Sequence, residues 1–227
     1  MYDYGIGAGN ILKKIHDSLT DEEKKDIRQR WLERGYRIDG IKQLPAGDGQ
    51  NKALTKAVAD IEKSIRINKS FETGVLFDIN GNVLIDKRGK ARSVAFSSDE
   101  IKKMKDGILT HNHPGGWNAK PNNILHIGSS FSIDDLKMAI NADLLEIRAV
   151  GPLYTYSMKR PDNGWGVKIA DFKLSYGVIE RKVQRELVQA IKENRITVDQ
   201  ANALHYHIVS KRVAQKYGWE YKKAKTR

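Results

Sequence analysis

His111-Asn112-His113-Pro114, Ser132-Ile133-Asp134-Asp135 and a lone Glu72 are the residues whose types and spacing can do chemistry together. In an extended strand, side chains at i and i+2 share a face, so His111 and His113 present both imidazoles to one side and Asn112 to the other. With the carboxylate of Asp135 they make a His2Asp donor set for a divalent cation, and such a set leaves a coordination position for solvent. A cation held this way brings the pKa of its water toward neutrality. Glu72 stands just ahead of an apolar run, where a buried carboxylate is costly unless it has a partner or a task. Within reach of that water it would serve as general base, then return the proton to a leaving amine. Ser132 offers a hydroxyl to a developing oxyanion. Ser132 and Asp135 also have the spacing of a capping box, and the two readings coexist: Ser132 caps a helix while Asp135, kept ionised by the helix N-terminus, faces the metal.

The elements that must position these groups are legible around them. Helical spacing through Leu54, Val58, Ile61 and Ile65 predicts a helix over 53–67, after a loop or linker spanning about 40–51. Gly74-Val75-Leu76-Phe77 and Val83-Leu84-Ile85 flank Asn80-Gly81, the signature of a hairpin. A further strand is expected over 93–96, then the capping box Ser97-Ser98-Asp99-Glu100 and a short helix ending near Gly107. The His-x-His strand starts at Ile108 and stops at Pro114, which cannot donate to a ladder. A helix from Ser132 to about Asn141 and strands over 144–150 and 154–158 follow. Further on, Tyr176, Ile179, Val183, Leu187 and Ile191 form one apolar stripe, and Thr197-Val198-Asp199-Gln200 caps a helix that ends at Gly218. Near the other end of the chain, Thr20-Asp21-Glu22-Glu23 caps an expected helix over 21–34. The fold class is therefore α/β, a mixed, mainly antiparallel sheet flanked by helices. It divides into an N-terminal helical segment (1–50), a central catalytic domain (51–165) and a basic C-terminal helical hairpin (166–227).

The 227 residues suffice for one substantial core. With no cysteine, disulfides, thiolate nucleophiles and cysteine metal sites are excluded, so any transition metal must be held by nitrogen and oxygen. No apolar run approaches a bilayer-spanning length and the N-terminus has no signal-peptide pattern, which gives the expectation of a cytoplasmic protein without a membrane partner. The net charge is +12, and residues 171–227 carry 13 Lys/Arg against 6 Asp/Glu. That asymmetry suits a nucleic acid or an acidic partner as well as a simply solvated helical face.

The order helix, Glu72, hairpin, His-x-His-Pro strand and Ser-x-x-Asp helix resembles the JAMM (MPN-plus, JAB) metalloproteases over about residues 53–160. The stretch Glu72-Thr73-Gly74-Val75-Leu76 is similar to the Glu-x-Gly-apolar-apolar start in that family. The resemblance implies a JAMM/cytidine-deaminase-like fold, zinc on His111, His113 and Asp135, Glu72 as acid/base, Ser132 as oxyanion assistant, and a protein or peptide substrate cut at a peptide or isopeptide bond. The His-Asn-His-Pro form is also similar to the RadC branch. Phe131-Ser132 and the run from Glu146 to Pro152 resemble domains appended to phage minor head and toxin-like proteins. A phage-related structural or nucleic-acid-associated module, and a toxin-like effector, therefore stand as alternatives to a working peptidase.

One stretch departs from the family. Between His113 and Ser132 lie 18 residues, longer than the family's spacing, and this insert over 114–131 is expected to form a flap over the open coordination site. His126 within it is expected to be exposed or packed in the flap rather than a ligand. His205 and His207 lie on a helical stretch where residues two apart diverge, so they do not chelate one ion together. Trp219 and Tyr221 beside Lys222, Lys223 and Lys225 would suit stacking with single-stranded nucleic acid, although anchoring of a terminal helix is the commoner use of such aromatics. The contiguous letters His-Asn-His do not make an HNH nuclease, whose residues are dispersed across a ββα unit.

Overall fold

The computed structural model describes residues 48–225, and Gly49–Arg227 forms one compact unit. The helix expected over 21–34 lies outside the described residues. The element order is α1 (Asp48–Arg66), β1 (Thr73–Phe77), β2 (Val83–Arg88), α2 (Ser98–Lys102), β3 (Ile108–Asn112), two 3-10 turns (Pro114–Asn118 and Ile124–Ile127), α3 (Ile133–Asn141), β4 (Glu146–Val150), β5 (Tyr154–Lys159), α4 (Ile169–Lys192), α5 (Val198–Tyr217) and β6 (Glu220–Lys225). The strands form one six-stranded sheet in the order β2-β1-β3-β4-β5-β6. Only the β3–β4 pairing is parallel, and α3 lies in the crossover that a parallel pair requires.

Period-two alternation sorts the strand residues onto two faces. Val75, Phe77, Ile108 and Val150 pack on one face with Val58 and Ile65 of α1. Leu76, Leu109, Ile147, Ala149 and Met158 face the other way, into the larger core built with α3, α4 and α5. The mixed, mainly antiparallel sheet flanked by helices is thus the architecture. The expected stripe on α4 turns inward, with Tyr176 and Val183 fully buried. Both later caps form as the sequence implies: Thr197 and Gln200 exchange hydrogen bonds at the start of α5, and Gly218 ends it in the left-handed region at φ 71°.

The boundary expected at 165/166 cuts through this larger core. Trp165 and Trp219 meet edge to face at 4.7 Å, and Trp219 Nε1 donates to the Trp165 carbonyl at 3.0 Å. Glu220–Lys225 is a strand, β6, paired antiparallel with β5, rather than part of the helical hairpin expected over 166–227. Its lysines occupy a sheet edge, where charge discourages pairing with other chains. The strand expected over 93–96 does not form; a single bridge joins Lys90 and Ser93, because the chain doubles back at Gly89, where even a Cβ would lie 2.3 Å from the Ser93 carbonyl oxygen.

Candidate metal centre

β3 delivers the two imidazoles and the start of α3 delivers the carboxylate. His111 and His113 point to the α3 side of the sheet, with their Nε2 atoms 2.9 Å apart. Asp135 Oδ1 lies 3.3 Å from His111 Nε2, and Oδ2 lies 3.8 Å from His113 Nε2. Donors around a tetrahedral zinc at ordinary bond lengths stand about 3.3 Å apart, a value these separations bracket. His111, His113 and Asp135 are the one such group of three among the described residues, their donor atoms all within 4.8 Å of each other.

The second nitrogen of His113 explains how its Nε2 comes to face the donor cluster as an acceptor. His113 Nδ1 faces the Ser129 carbonyl at 3.0 Å, so its proton sits there and leaves Nε2 a bare lone pair. His111 has a backbone hydrogen bond with Arg148. Two imidazole lone pairs facing each other at this distance repel unless a cation or a shared proton stands between them. The protonation balance follows. Burial disfavours charge on His111, but Asp135, Glu72 and the Arg148 backbone outweigh it and raise its pKa. In His113 burial and the neighbouring His111 prevail over Asp135, and the pKa is lowered. Burial would raise Asp135, yet the two histidines and the Ser132 backbone hold it well below the usual carboxylate range.

Asn112 points to the opposite face, as expected, and does something the sequence did not disclose. Its Nδ2 donates to the carbonyls of Asn68 and Phe71, both at 3.1 Å, and its Oδ1 accepts from the Thr73 amide at 2.6 Å. The residue between the two histidines therefore clamps the segment that carries Glu72. Gly74 pairs with His111 at the end of the β1–β3 ladder, and Glu72, just beyond it, lines the same cavity as His111 and His113. Glu72 is buried, and its pKa is pushed up to about 7, chiefly by desolvation, with His111 pulling it down and Asp135 adding to the rise.

Glu72, His111, His113, Ser132 and Asp135 thus line one cavity of about 460 Å³. Val94, Phe96 and Met138 give it an apolar wall, and Arg92 and Tyr206 also line it. Tyr206 sits between His205 and His207, and only a tertiary contact from α5 brings it here. The Ser132 hydroxyl donates to Asp135 Oδ2 at 2.8 Å, and the Ser132 amide donates to the same oxygen at 2.7 Å. Its proton is thereby engaged with a prospective metal ligand, so presenting it to an oxyanion requires an exchange of partners.

The insert contributes its ends: Pro114, Gly115, Ser129 and Ser130 line the cavity. Its middle is anchored to the side, with Trp117 Nε1 donating to the Arg66 carbonyl at 2.7 Å and Gly116 packed against Gly128 and Pro152. There it borders a separate cavity of about 670 Å³, shared with Asn202 and Ala203 of α5, instead of roofing the histidines. His126 is buried inside the insert, its Nδ1 facing the carbonyls of Gly116 and Ala119 and its ring edge-on to Trp117. It is no member of the donor set. His207 turns to Tyr221, 2.9 Å from its hydroxyl, and does not share a site with His205.

Comparisons with protein-family models, with curated proteins and with solved structures find no match to this chain.

Proposed function

We propose that this chain is a zinc-dependent hydrolase of peptide or isopeptide bonds, of the JAMM type whose motif order it resembles. The observation that carries the reading is the pair of Nε2 atoms 2.9 Å apart beside Asp135, in one cavity with a carboxylic acid that titrates at about 7. Two imidazoles and one carboxylate at this spacing are a donor set that zinc accepts, and the JAMM-like motif order is what selects zinc here. Zinc bound there would supply a Lewis acid that acidifies a water and polarises a carbonyl.

The chain's own residues divide the remaining tasks. Glu72 changes protonation near neutral pH, which lets it accept a proton from the attacking water and deliver it to the leaving amine. Ser132 holds Asp135 in place through two donations to Oδ2, and it lies where its hydroxyl lines the cavity. Val94, Phe96 and Met138 lower the polarity around the reacting bond, which strengthens every charge interaction there.

The test combines metal analysis with hydrolysis of fluorogenic peptide and isopeptide panels. The purified chain should carry about one zinc, the stoichiometry of a mononuclear site, and His113→Ala should lose it. Glu72→Gln should keep the zinc and lose hydrolysis. Full activity in that variant, or a chain that takes up no zinc, overturns the reading. The alternative of a nucleic-acid-associated or phage-related module draws on the basic side chains of α4, where Arg181, Arg185 and Lys192 border one shallow groove, and on the lysines of β6. It predicts salt-dependent nucleic-acid binding that a chelator leaves unchanged.

A further inference from the structure

Two of the three prospective ligands are oriented from a single irregular stretch. Residues 128–132 belong to neither helix nor strand. Ser129 offers its carbonyl to His113 Nδ1 at 3.0 Å, and its hydroxyl lies 3.4 Å from the same atom. Ser132, three residues on, holds Asp135. No ladder fixes such a stretch, so its geometry depends on packing and on side-chain tethers. Gly128 packs against Pro152 at one end, and Phe131 is fully buried near the other.

Between the two ligand-orienting serines, Ser129 and Ser132, stands Ser130, 2% exposed, and its tether comes from the far end of the chain. Ser130 Oγ lies 2.8 Å from Tyr221 Oη, and the same hydroxyl of Tyr221 lies 2.9 Å from His207 Nδ1. Ser130 also reaches Ser210 Oγ at 3.4 Å. Tyr221 belongs to β6, where it pairs with Met158, and its ring meets Phe131 edge to face at 6.3 Å. The terminal strand is thereby bonded through one phenol to the segment that aims His113 and Asp135.

We propose that Tyr221 is a positioning residue of the metal centre: by holding Ser130 it fixes the Ser129 carbonyl behind His113 and the Ser132 cap beneath Asp135. This rests on the reading of His111, His113 and Asp135 as metal ligands. Tyr221 touches none of the three, so its removal acts through orientation alone. Replacing it by phenylalanine keeps the ring packing and leaves Ser130 and His207 without their shared partner. Outer-shell partners of metal ligands typically govern affinity by 10- to 100-fold, and the lower part of that range, about 10-fold, is expected here because one residue intervenes.

The experiment measures zinc affinity of the full chain by competition with a chromophoric chelator, and visible absorption after cobalt substitution. Wild type, Tyr221→Phe, Ser130→Ala, the double variant and Tyr217→Phe are compared, each checked for fold by circular dichroism and thermal melting. Tyr217 stacks on Trp219 away from the centre and serves as the control for loss of a nearby phenol. The expected result is about 10-fold weaker zinc binding and an altered cobalt spectrum in Tyr221→Phe, no change in Tyr217→Phe, and a double variant no weaker than the single ones, as one shared path demands. Wild-type affinity and spectrum in a folded Tyr221→Phe, or additive losses in the double variant, overturn the proposal. Should Tyr221→Phe fail to fold, Ser130→Ala decides: it must weaken zinc and shift the cobalt spectrum, and wild-type values refute the tether. A wild-type chain that binds neither ion instead refutes the metal centre itself.

Discussion

Ser132 gives two hydrogen bonds to one oxygen of Asp135, from its amide at 2.7 Å and its hydroxyl at 2.8 Å, and leaves the other oxygen beside His111. The capping box and the proposed metal ligand share one carboxylate. The helix start needs Ser132 to accept from the Asp135 amide, which it does at 3.2 Å, and the same pairing freezes the carboxylate rotamer toward the histidines. Ser132→Ala should therefore lose about 1 kcal/mol of stability as a missing N-cap and bind zinc about 10-fold more weakly. Ser132→Thr keeps both hydrogen bonds and should recover most of each. Thermal melts of the metal-free chain and chelator competition read the two effects separately; a Ser132→Ala variant with unchanged zinc affinity would show that the cap does not orient the ligand.

Glu72 makes metal-free stability depend on pH with a defined sign. Its pKa is about 7 in the fold against an ordinary 4.5, so between those values the folded chain retains a proton that the unfolded chain has released. Its contribution is fully present below about 4.5, fades as pH rises through 7, and is gone above it. Allowing for solvent screening, the loss is about 2 kcal/mol. The two histidines are shifted as well, His111 upward and His113 downward, so the informative quantity is the difference between wild type and Glu72→Gln. In chelator-treated protein that difference should grow from near zero at low pH to about 2 kcal/mol in favour of the variant at neutral pH. Urea unfolding at several pH values measures it, and a flat difference would mean that Glu72 is solvated rather than held in the cavity.

What was legible in the sequence was whatever a local pattern can encode. His111 and His113 had to share a face because strand geometry says so, and the Ser132 and Thr197 caps formed because their partners lie within one helical turn. The placement of Glu72, Asn112 and Tyr206 was of another kind. Asn112 was known to point away from the histidines, but its hold on Asn68, Phe71 and Thr73 depends on how the segment before β1 crosses the sheet. Tyr206 reaches the cavity only because α5 packs against α4 and the second 3-10 turn. The last strand has little signal in the sequence, since Glu220-Tyr221-Lys222-Lys223-Ala224-Lys225 is largely polar on both faces and pairing with β5 supplies the order. The insert's placement was equally invisible: it rests on Arg66, Gly151 and Pro152, distant in the chain.

Gly74 pairs with His111, and its lack of a side chain is what lets the cavity wall close. A Cβ there would stand 2.8 Å from Phe96 Cζ and 3.1 Å from Val94 Cγ1. Gly74→Ala should push Phe96 outward, costing about 1–3 kcal/mol as overpacking does, without touching any metal donor. Zinc affinity should stay at the wild-type value while the melting temperature falls and turnover of peptide substrates drops. Weakened zinc binding in this variant would mean instead that β1 has shifted and carried His111 with it.

Behind the histidine strand, the opposite face of the sheet is fixed to α1 by charge. Arg148 Nε donates to Glu62 Oε1 at 2.6 Å and its Nη1 to Glu146 Oε1 at 2.6 Å, while Thr110, adjacent to His111, donates to Glu62 at 3.2 Å. Glu62 is 6% exposed, so removing its guanidinium partner strands a carboxylate where solvation cannot rescue it. Arg148→Met should cost about 3–5 kcal/mol, the usual penalty for breaking a buried pair from one side. Joining it to Glu62→Leu removes the stranded charge and should recover at least half of that loss, since two apolar side chains replace a pair whose desolvation offset much of its attraction. Chemical denaturation of the single and double variants reads both numbers. A double variant as unstable as Arg148→Met alone would mean that the attachment of α1, and not the buried charge, sets the cost; zinc affinity would then be expected to fall with it, because Thr110 and His111 are neighbours on β3.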